Sequence, residues 1–438
     1  MLQEIEAKAS TQIRRLHAEL MSRNDRVLES MHWWSEGFSI DRSERCSSVL
    51  GVLTRLRDLL QFAPRAPSDY WLSSKAYFQH FCAQEPPIER LRYEEWASEC
   101  KNTRNAAKTL HKEHPLFNPA SPYVLGEYPD TFVICVPGGR VADGRGSVIA
   151  HDGKMLFDVS IDWASGGHDP ARHPLFQRKK LAKAERLFGT STVLTTSESA
   201  GFFHWMTDAL PRLQILREAS PVPWEAMDHF LITEGIPAIR QSLSLLGIRD
   251  DKLVVTRRGS HFLCDWLIVP SLPGAPGNVP PWAVDFLRAQ FMKSSSQPQA
   301  KRIYLSRARA SGRRIVNEEE ILPLLARRGF LRVTLEEMSL GDQIALFSEA
   351  EAVVAPHGAG LTNLAWCAPK TKVLEIFSPL YVNLCYWAIA SLVQADYYYL
   401  LGVAEGFVDD VNDARFFLEN IFLDIVALER TLDAMELS

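Results

Sequence analysis

The stretch Glu351-Ala-Val-Val-Ala-Pro-His-Gly-Ala-Gly-Leu-Thr-Asn-Leu-Ala-Trp-Cys367 joins an apolar strand to a helix through a histidine and two glycines. The run from Glu351 to Ala355 predicts a buried strand, and Gly360 to Cys367 predicts the opening turns of a helix. A helix that begins there turns unpaired N–H groups and the positive end of its dipole into the loop, and glycines let an anion approach the backbone. From these residues alone two readings stay open. The loop is a phosphate cradle, or Gly358 and Gly360 only permit a tight turn beside a structural His357.

Around this stretch, strands and helices alternate. Arg302-Ile-Tyr-Leu-Ser306 predicts a strand, followed by an arginine-rich loop and a helix capped by Asn317, with Glu318, Glu319 and Glu320 in its first turn and Gly329 at its close. Phe330 to Thr334 predicts the next strand. A helix from Leu340 to Ala350 capped by Ser339, the opening strand, and a strand Lys372-Val-Leu-Glu-Ile-Phe377 come after it. This spacing implies a parallel, doubly wound sheet with its ligand site at the carboxyl ends of the strands.

Upstream, Thr131 to Val136, Val148 to Ala150, Met155 to Val159, Ser191 to Thr195, Phe230 to Thr233, Lys252 to Thr256 and Trp266 to Val269 predict a first α/β domain, with a helix from Ile236 to Leu246. Pro270 to Pro281 holds five prolines and two glycines and reads as a linker. The first 120 residues read as a helical extension that packs on the body or on a second subunit. The expected division is 1–120 helical extension, 121–280 first Rossmann-like domain, 281–400 second Rossmann-like domain and 401–438 C-terminal helical segment.

Composition excludes several classes. The chain has 438 residues, a 46% hydrophobic and 23% charged make-up, and 48 basic against 53 acidic side chains. That is an ordinary globular balance, long enough for two or three domains, with no general attraction for nucleic acid. No apolar run approaches the roughly 20 residues of a membrane span, and the N-terminus carries charges where a signal peptide is apolar, so the expectation is a cytoplasmic protein. Seven cysteines without a CxxC pair suggest free thiols, mostly buried. No Asp-x-Asp triplet occurs, and Asp409-Asp-Val-Asn-Asp413 reads as a solvated turn, so no required metal is expected. A P-loop and a GxSxG elbow are absent too.

Three further features suit group transfer. Leu305 to Arg314 sets four arginines and two serines at the end of a strand, where planar guanidinium forks suit a diphosphate; a solvated basic loop is the alternative. Glu375 stands near a strand end, where it would accept ribose hydroxyls, pair with a cation, or lie at an edge. In Ser197 to Leu213, His204 and Asp208 are four apart and share a helix face, unless Pro211 breaks it. The alternative there is a core helix with a hydrogen-bonded histidine.

Taken in order, GFFHWMTDALPRL (201–213), RIYLSRARASGRRIVNEEEI (302–321), the glycine loop and KVLEIFSP (372–379) resemble glycosyltransferase family 61, over residues 190 to 380. That family includes eukaryotic O-linked GlcNAc transferases, plant xylosyl and arabinosyl transferases, and bacterial capsular polysaccharide proteins. The resemblance implies a GT-B architecture of two Rossmann-like domains and an inverting, metal-independent transfer without cofactor from a nucleotide sugar, expected to be UDP-linked, to a glycan hydroxyl. Position by position it assigns Ser306, Arg307, Arg314, Asn317 and Glu318 to the first donor motif. His357, Gly358, Ala359, Gly360, Leu361, Thr362 and Asn363 fall on the nucleotide loop, and Glu375 on the ribose.

His204, Asp208, Pro211 and Arg212 match the first-domain motif, with Asp208 or His204 as base and Asp208 favoured because inversion commonly uses a carboxylate. The N-terminus departs from the secretory segment of eukaryotic members, which puts a glycoprotein acceptor in doubt; the expected setting is bacterial surface polysaccharide synthesis. Peripheral membrane association and a homodimer through the N-terminal helices stay open. The competing readings are a non-catalytic carbohydrate- or nucleotide-binding subunit and a polysaccharide pyruvyl transferase.

Overall fold

The computed structural model describes residues 65–84, 88–96, 102–110, 113–117, 125–126, 128–162, 169–275, 277–292, 301–404 and 417–437. Contacts divide the chain into Met1–Phe62 and Ala63–Ser438, and every described residue belongs to the second unit. The helices expected before residue 64, the turn at Asp409 to Asp413 and residues 405–416 of the 401–438 segment lie outside the described residues.

The second half of the chain folds as the alternation predicts. Five strands form one sheet in the order Phe330–Val333, Lys301–Leu305, Ala350–Pro356, Lys372–Phe377, Asp396–Leu401, and every pair is parallel. The fifth strand was not expected from the sequence, although Asp396-Tyr-Tyr-Tyr-Leu-Leu401 has the aromatic content that favours a strand. Helix Glu318–Arg327 buries Ile321, Leu324 and Leu325 against one face, and helix Leu340–Ser348 buries Leu340, Ile344 and Phe347 in the core of the other. The chain therefore leaves strand Lys301–Leu305 toward one face and strand Ala350–Pro356 toward the other. Between these neighbouring strand ends lies the crevice where doubly wound sheets bind ligands.

The first half is a mixed ten-stranded sheet. Its parallel part runs His261–Pro270, Glu185–Val193, His229–Thr233, Leu253–Thr256. His229-Phe-Leu-Ile-Thr233 is buried almost throughout, as expected of a strand covered on both faces. The other edge of His261–Pro270 is shared by Thr131–Pro137 and Arg140–Ala142, both antiparallel to it. Arg92–Trp96 pairs with Thr131–Pro137, and Tyr70–Trp71 pairs with Met155–Leu156. Residues 65–96 thus add strands to this sheet, alongside the helix Ser74–Cys82, where a helical extension was expected. The C-terminal segment, expected to be helical, likewise holds a short strand, Ile421–Phe422, before its helix Ile425–Ala434.

Between strand His261–Pro270 and helix Pro281–Phe291 the described residues are irregular, as their composition requires, but they are not a loose tether. Ser271, Val279 and Pro280 are buried, and Ser271 exchanges hydrogen bonds with the backbone of Phe132. Helix Pro281–Phe291 follows and places Trp282, Phe286 and Leu287 in an apolar core that also takes in Met206 and Leu210 from the first half and Leu305, Leu364 and Trp366 from the second. Among the described cysteines, Cys135, Cys264, Cys367 and Cys385 are buried free thiols and Cys82 is exposed.

Candidate functional site

Strand Ala350–Pro356 delivers His357 and Gly358 to the crevice. Gly358 has φ 172° and ψ 165°, extended backbone open to any residue. Its glycine is required instead by a neighbour, because a Cβ there would stand 1.9 Å from Nη1 of Arg307. Residues Ala359–Trp366 form a 3₁₀ helix, not the α-helix that the sequence suggests. Asn363 explains the difference. Its Nδ2 donates to the Gly360 carbonyl at 3.1 Å and to Gln343 Oε1 at 3.0 Å, while its Oδ1 accepts from Trp366 Nε1 at 2.9 Å. The side chain takes the carbonyl that an α-helix would use four residues on. Asn363 is fully buried and spends its amide holding the turn. The opening N–H groups of the short helix still lack intrahelical acceptors and face the loop.

Ser306, Arg307, Gly358, Ala359, Gly360 and Leu361 line one cleft of about 420 Å³. Leu335, Glu336, Met338 and Gln343 continue its wall, and Phe202, Ile236, Pro237, Ala238 and Gln241 of the first half close the other side. Ser306 is buried and accepts a hydrogen bond from the Ala308 N–H. Thr362, also buried, has an Oγ1 without a partner.

The four arginines of the loop separate sharply. Arg309 pairs with Glu337 at the surface, and Arg314 is exposed, with its backbone N–H donating to Asn420 Oδ1 and its carbonyl accepting from the Ile421 N–H. Arg307 donates to the Gly312 carbonyl from Nη2 at 3.0 Å and Nε at 3.3 Å. Burial, then the nearby charge of Arg313, lowers its pKa to about 10, so it remains a cation at neutral pH. Arg313 adopts φ 55°, its guanidinium stands 5.3 Å from the centre of the Tyr381 ring, and its Nε is buried without a partner. Neither Arg307 nor Arg313 pairs with a carboxylate among the described residues. The sequence pointed to Arg314, but Arg313 is the residue that turns inward; two adjacent arginines in a loop carry no signal of which one does so.

Asn317 stands at the helix start without capping it. Its amide instead clasps Leu423, donating to the carbonyl at 2.9 Å and accepting from the N–H at 3.0 Å. Glu318 accepts from Tyr304 Oη at 2.8 Å and pairs with Arg332. Both act as internal fastenings away from the cleft.

Glu375 is fully buried. One carboxylate oxygen accepts from His357 Nδ1 and the other accepts from Tyr397 Oη at 2.5 Å. No oxygen is left facing the cleft for a ribose, contrary to expectation. His357 stacks on Phe377 with ring centres 5.2 Å apart, and burial lowers its pKa, outweighing the opposing effect of Glu375. It is therefore neutral at pH 7.

Two residues beyond Phe202 of the cleft wall, His204 Nδ1 lies 2.7 Å from Asp208 Oδ2. The two span a π-helical turn, Trp205–Ala209, closed by the Leu210 N–H donating to the Trp205 carbonyl; Pro211 follows and begins a new helix, Arg212–Ala219. Proline therefore did not separate the pair. Thr207 Oγ1 donates to the other Asp208 oxygen at 2.8 Å. The His204 side chain is 29% exposed and that of Asp208 13%, so the imidazole is the outward member. Burial works to lower the His204 pKa, but the hydrogen bond and charge of Asp208 and the charge of Glu198 raise it above its usual value.

Asp208 opens on a small recess with Ser197 and Glu198 rather than on the main cleft. Phe203 links the two histidines, packing edge-on against Tyr386 at 5.6 Å, and Tyr386 lies 4.9 Å from His357. Arg212 is fully buried and donates to the carbonyls of Thr195 and Pro270, clamping two strand ends. Among the described residues no group of three His, Cys, Asp or Glu side chains is placed to hold a metal ion.

Residues 202–374 match the glycosyltransferase 61 family, which bears out the resemblance read from the sequence. A rice protein, beta-1,2-xylosyltransferase RCN11, is 34% identical over 89 residues, covering 18% of this chain and 17% of its own. An Arabidopsis thaliana beta-1,2-xylosyltransferase is 32% identical over 91 residues, covering 17% of each. The chain thus spans about a sixth of the length of these relatives.

Proposed function

From a chain whose residues 202–374 are a glycosyltransferase 61 segment, we propose an inverting transfer of a sugar from a nucleotide sugar, UDP-linked, to a glycan hydroxyl. The observation that carries this reading is the pair of arginines without acidic partners, Arg307 and Arg313, beside the glycine loop at the strand crossover. A diphosphate there would meet two guanidinium groups and the N–H groups opening the short helix.

The two halves act as the facing domains of a GT-B enzyme, with 281–400 holding the donor and 121–280 the acceptor. The acceptor hydroxyl attacks the anomeric carbon from the face opposite the diphosphate. Its proton passes to His204 Nε2 as the new bond forms, and the bond from the anomeric carbon to the phosphate oxygen breaks. Asp208 holds the imidazole by Nδ1 and stabilises its charge. Because both Asp208 oxygens are engaged and His204 is the more open, His204 replaces Asp208 as the preferred base. The charge that develops on the departing diphosphate is met by Arg307 and Arg313 without a metal.

Two plant relatives are named as xylosyltransferases, which makes xylose the first sugar to test. Among the described residues no helix is long and apolar enough to cross a membrane, which is compatible with a cytoplasmic enzyme acting on a surface-polysaccharide precursor.

A thermal-shift screen of UDP-, GDP-, CMP- and dTDP-sugars, then an assay of acceptor-dependent nucleotide release with and without EDTA, tests this. Stabilisation by UDP-sugars and EDTA-resistant release are expected. Binding without release in the presence of a range of glycan acceptors would indicate a binding subunit, and loss of turnover in EDTA would overturn the metal-free step.

A further inference from the structure

With Glu375 sealed behind His357 and Tyr397, the nucleotide reading lacks an acceptor for the ribose hydroxyls. The cleft supplies one elsewhere. We infer that Glu336 is the carboxylate that receives the ribose hydroxyls of the donor, an inference that rests on the nucleotide-sugar reading of the same cleft.

The first argument is topological. In a doubly wound sheet the phosphates sit over the crossover between the first strand and its neighbour, and the ribose extends toward the second strand, where an acidic residue just past the strand end accepts its hydroxyls. Here the second strand is Phe330–Val333, parallel to Lys301–Leu305, and Glu336 lies in the 3₁₀ turn Leu335–Glu337 directly beyond it. Glu375 belongs to the fourth strand, on the other side of the glycine loop.

The second argument is accessibility. Glu336 lines the cleft with Arg307 and Gly358, and its charge is felt at the Arg307 guanidinium. Its neighbour Glu337 is taken by Arg309. Glu336 itself makes no hydrogen bond or ion pair with a described residue.

The third argument is that the turn is built into the same frame as the glycine loop. Gln343 Nε2 donates to the carbonyls of Leu335 and Met338, both at 3.2 Å, while Gln343 Oε1 accepts from Asn363. Leu335 also packs so close to Gly360 that a Cβ there would stand 2.9 Å from its Cδ1. One glutamine therefore fixes the carboxylate-bearing turn relative to the phosphate loop, the relation a nucleoside diphosphate needs between ribose and phosphate. A consequence is discrimination against dTDP-sugars, whose sugar ring lacks the 2′-hydroxyl.

Calorimetric titration of the full chain with UDP and with 2′-deoxy-UDP tests the assignment. The wild type should bind UDP about tenfold more tightly or better, the loss expected when a hydroxyl bonded to a charged group is removed. Glu336→Gln should retain its melting temperature, bind UDP more weakly, and narrow the preference to about twofold or less. Glu375→Gln should keep the wild-type ratio. If both proteins bind UDP with the same ratio to the deoxy form, Glu336 is not the ribose ligand. If no nucleoside diphosphate binds the wild type, the nucleotide reading of the cleft falls, and the ribose site with it.

Discussion

Arg307 lies against Gly358 so closely that its Nη1 occupies the space of a side chain at that position, 1.9 Å from where a Cβ would be. The glycine loop and the arginine loop therefore form one surface, and the glycine is there for the guanidinium rather than for a turn. Gly358→Ala should push the flexible tip of Arg307 aside without straining a backbone that is already extended. The expected result is a small change in Tm with a KM for the sugar nucleotide raised about tenfold or more, as loss of a charge-assisted pair of hydrogen bonds would give. A large drop in Tm with an unchanged KM would assign the glycine to folding alone.

The His204 and Asp208 pair makes a prediction about pH. A general base works only when deprotonated, so turnover should fall as pH drops through the His204 pKa, which lies above the usual 6.5. In Asp208→Asn the hydrogen bond and charge that raise the pKa are removed and burial, which lowers it, is less opposed, so the inflection in kcat/KM should move to lower pH. His204→Ala should lose roughly 10²- to 10⁴-fold in kcat, the usual yield of a positioned base. An unmoved inflection in Asp208→Asn would detach the profile from this pair.

The second sheet was legible because its helices and strands are local. The runs Arg302 to Ser306 and Lys372 to Phe377 became strands within a residue of their expected limits, and Ser339 accepts from the Asp342 N–H as a cap should. The site was legible to the level of segments: Ser306, Arg307 and Gly358 to Leu361 do line one cleft. What the sequence did not reveal is direction. Glu375 alternates onto the apolar face of its strand with Val373 and Phe377, and its burial is made tolerable by hydrogen bonds from His357 and from the Tyr397 hydroxyl one strand away. Arg313 and Arg314 differ only in which way a left-handed residue turns the chain. Asn317 has a capping residue's sequence context but a partner 106 residues away. Long-range partners of this kind leave no periodic trace.

The buried Glu375 predicts a structural phenotype. Tyr397→Phe removes the donor to one carboxylate oxygen without changing the shape of the core, leaving a fully buried acceptor short of a partner. The expected cost is about 1–3 kcal/mol of unfolding free energy in urea titration, with UDP affinity changed less than twofold, since Glu375 faces the protein interior. A marked loss of UDP affinity at unchanged stability would mean that the carboxylate reaches the ligand through His357.

Arg313 and Arg314 give the sharpest comparison, because the substitutions are adjacent and chemically identical. Arg313→Gln removes one of the two cations near the glycine loop that have no acidic partner among the described residues, and releases a buried Nε that otherwise has none. The free protein should lose little stability, since bringing two guanidinium charges together in a half-buried site is itself unfavourable; after burial, the larger cause, the Arg313 charge also lowers the Arg307 pKa. Affinity for a diphosphate should fall about tenfold or more, and the remaining binding should weaken less steeply with added salt, because one fewer charge meets the anion. Arg314→Gln, on an exposed side chain, should leave both affinity and salt dependence near wild type. Equal losses in the two variants would point to a general basic surface; a loss confined to Arg314→Gln would place the anion on the outer side of the loop and remove Arg313 from the site.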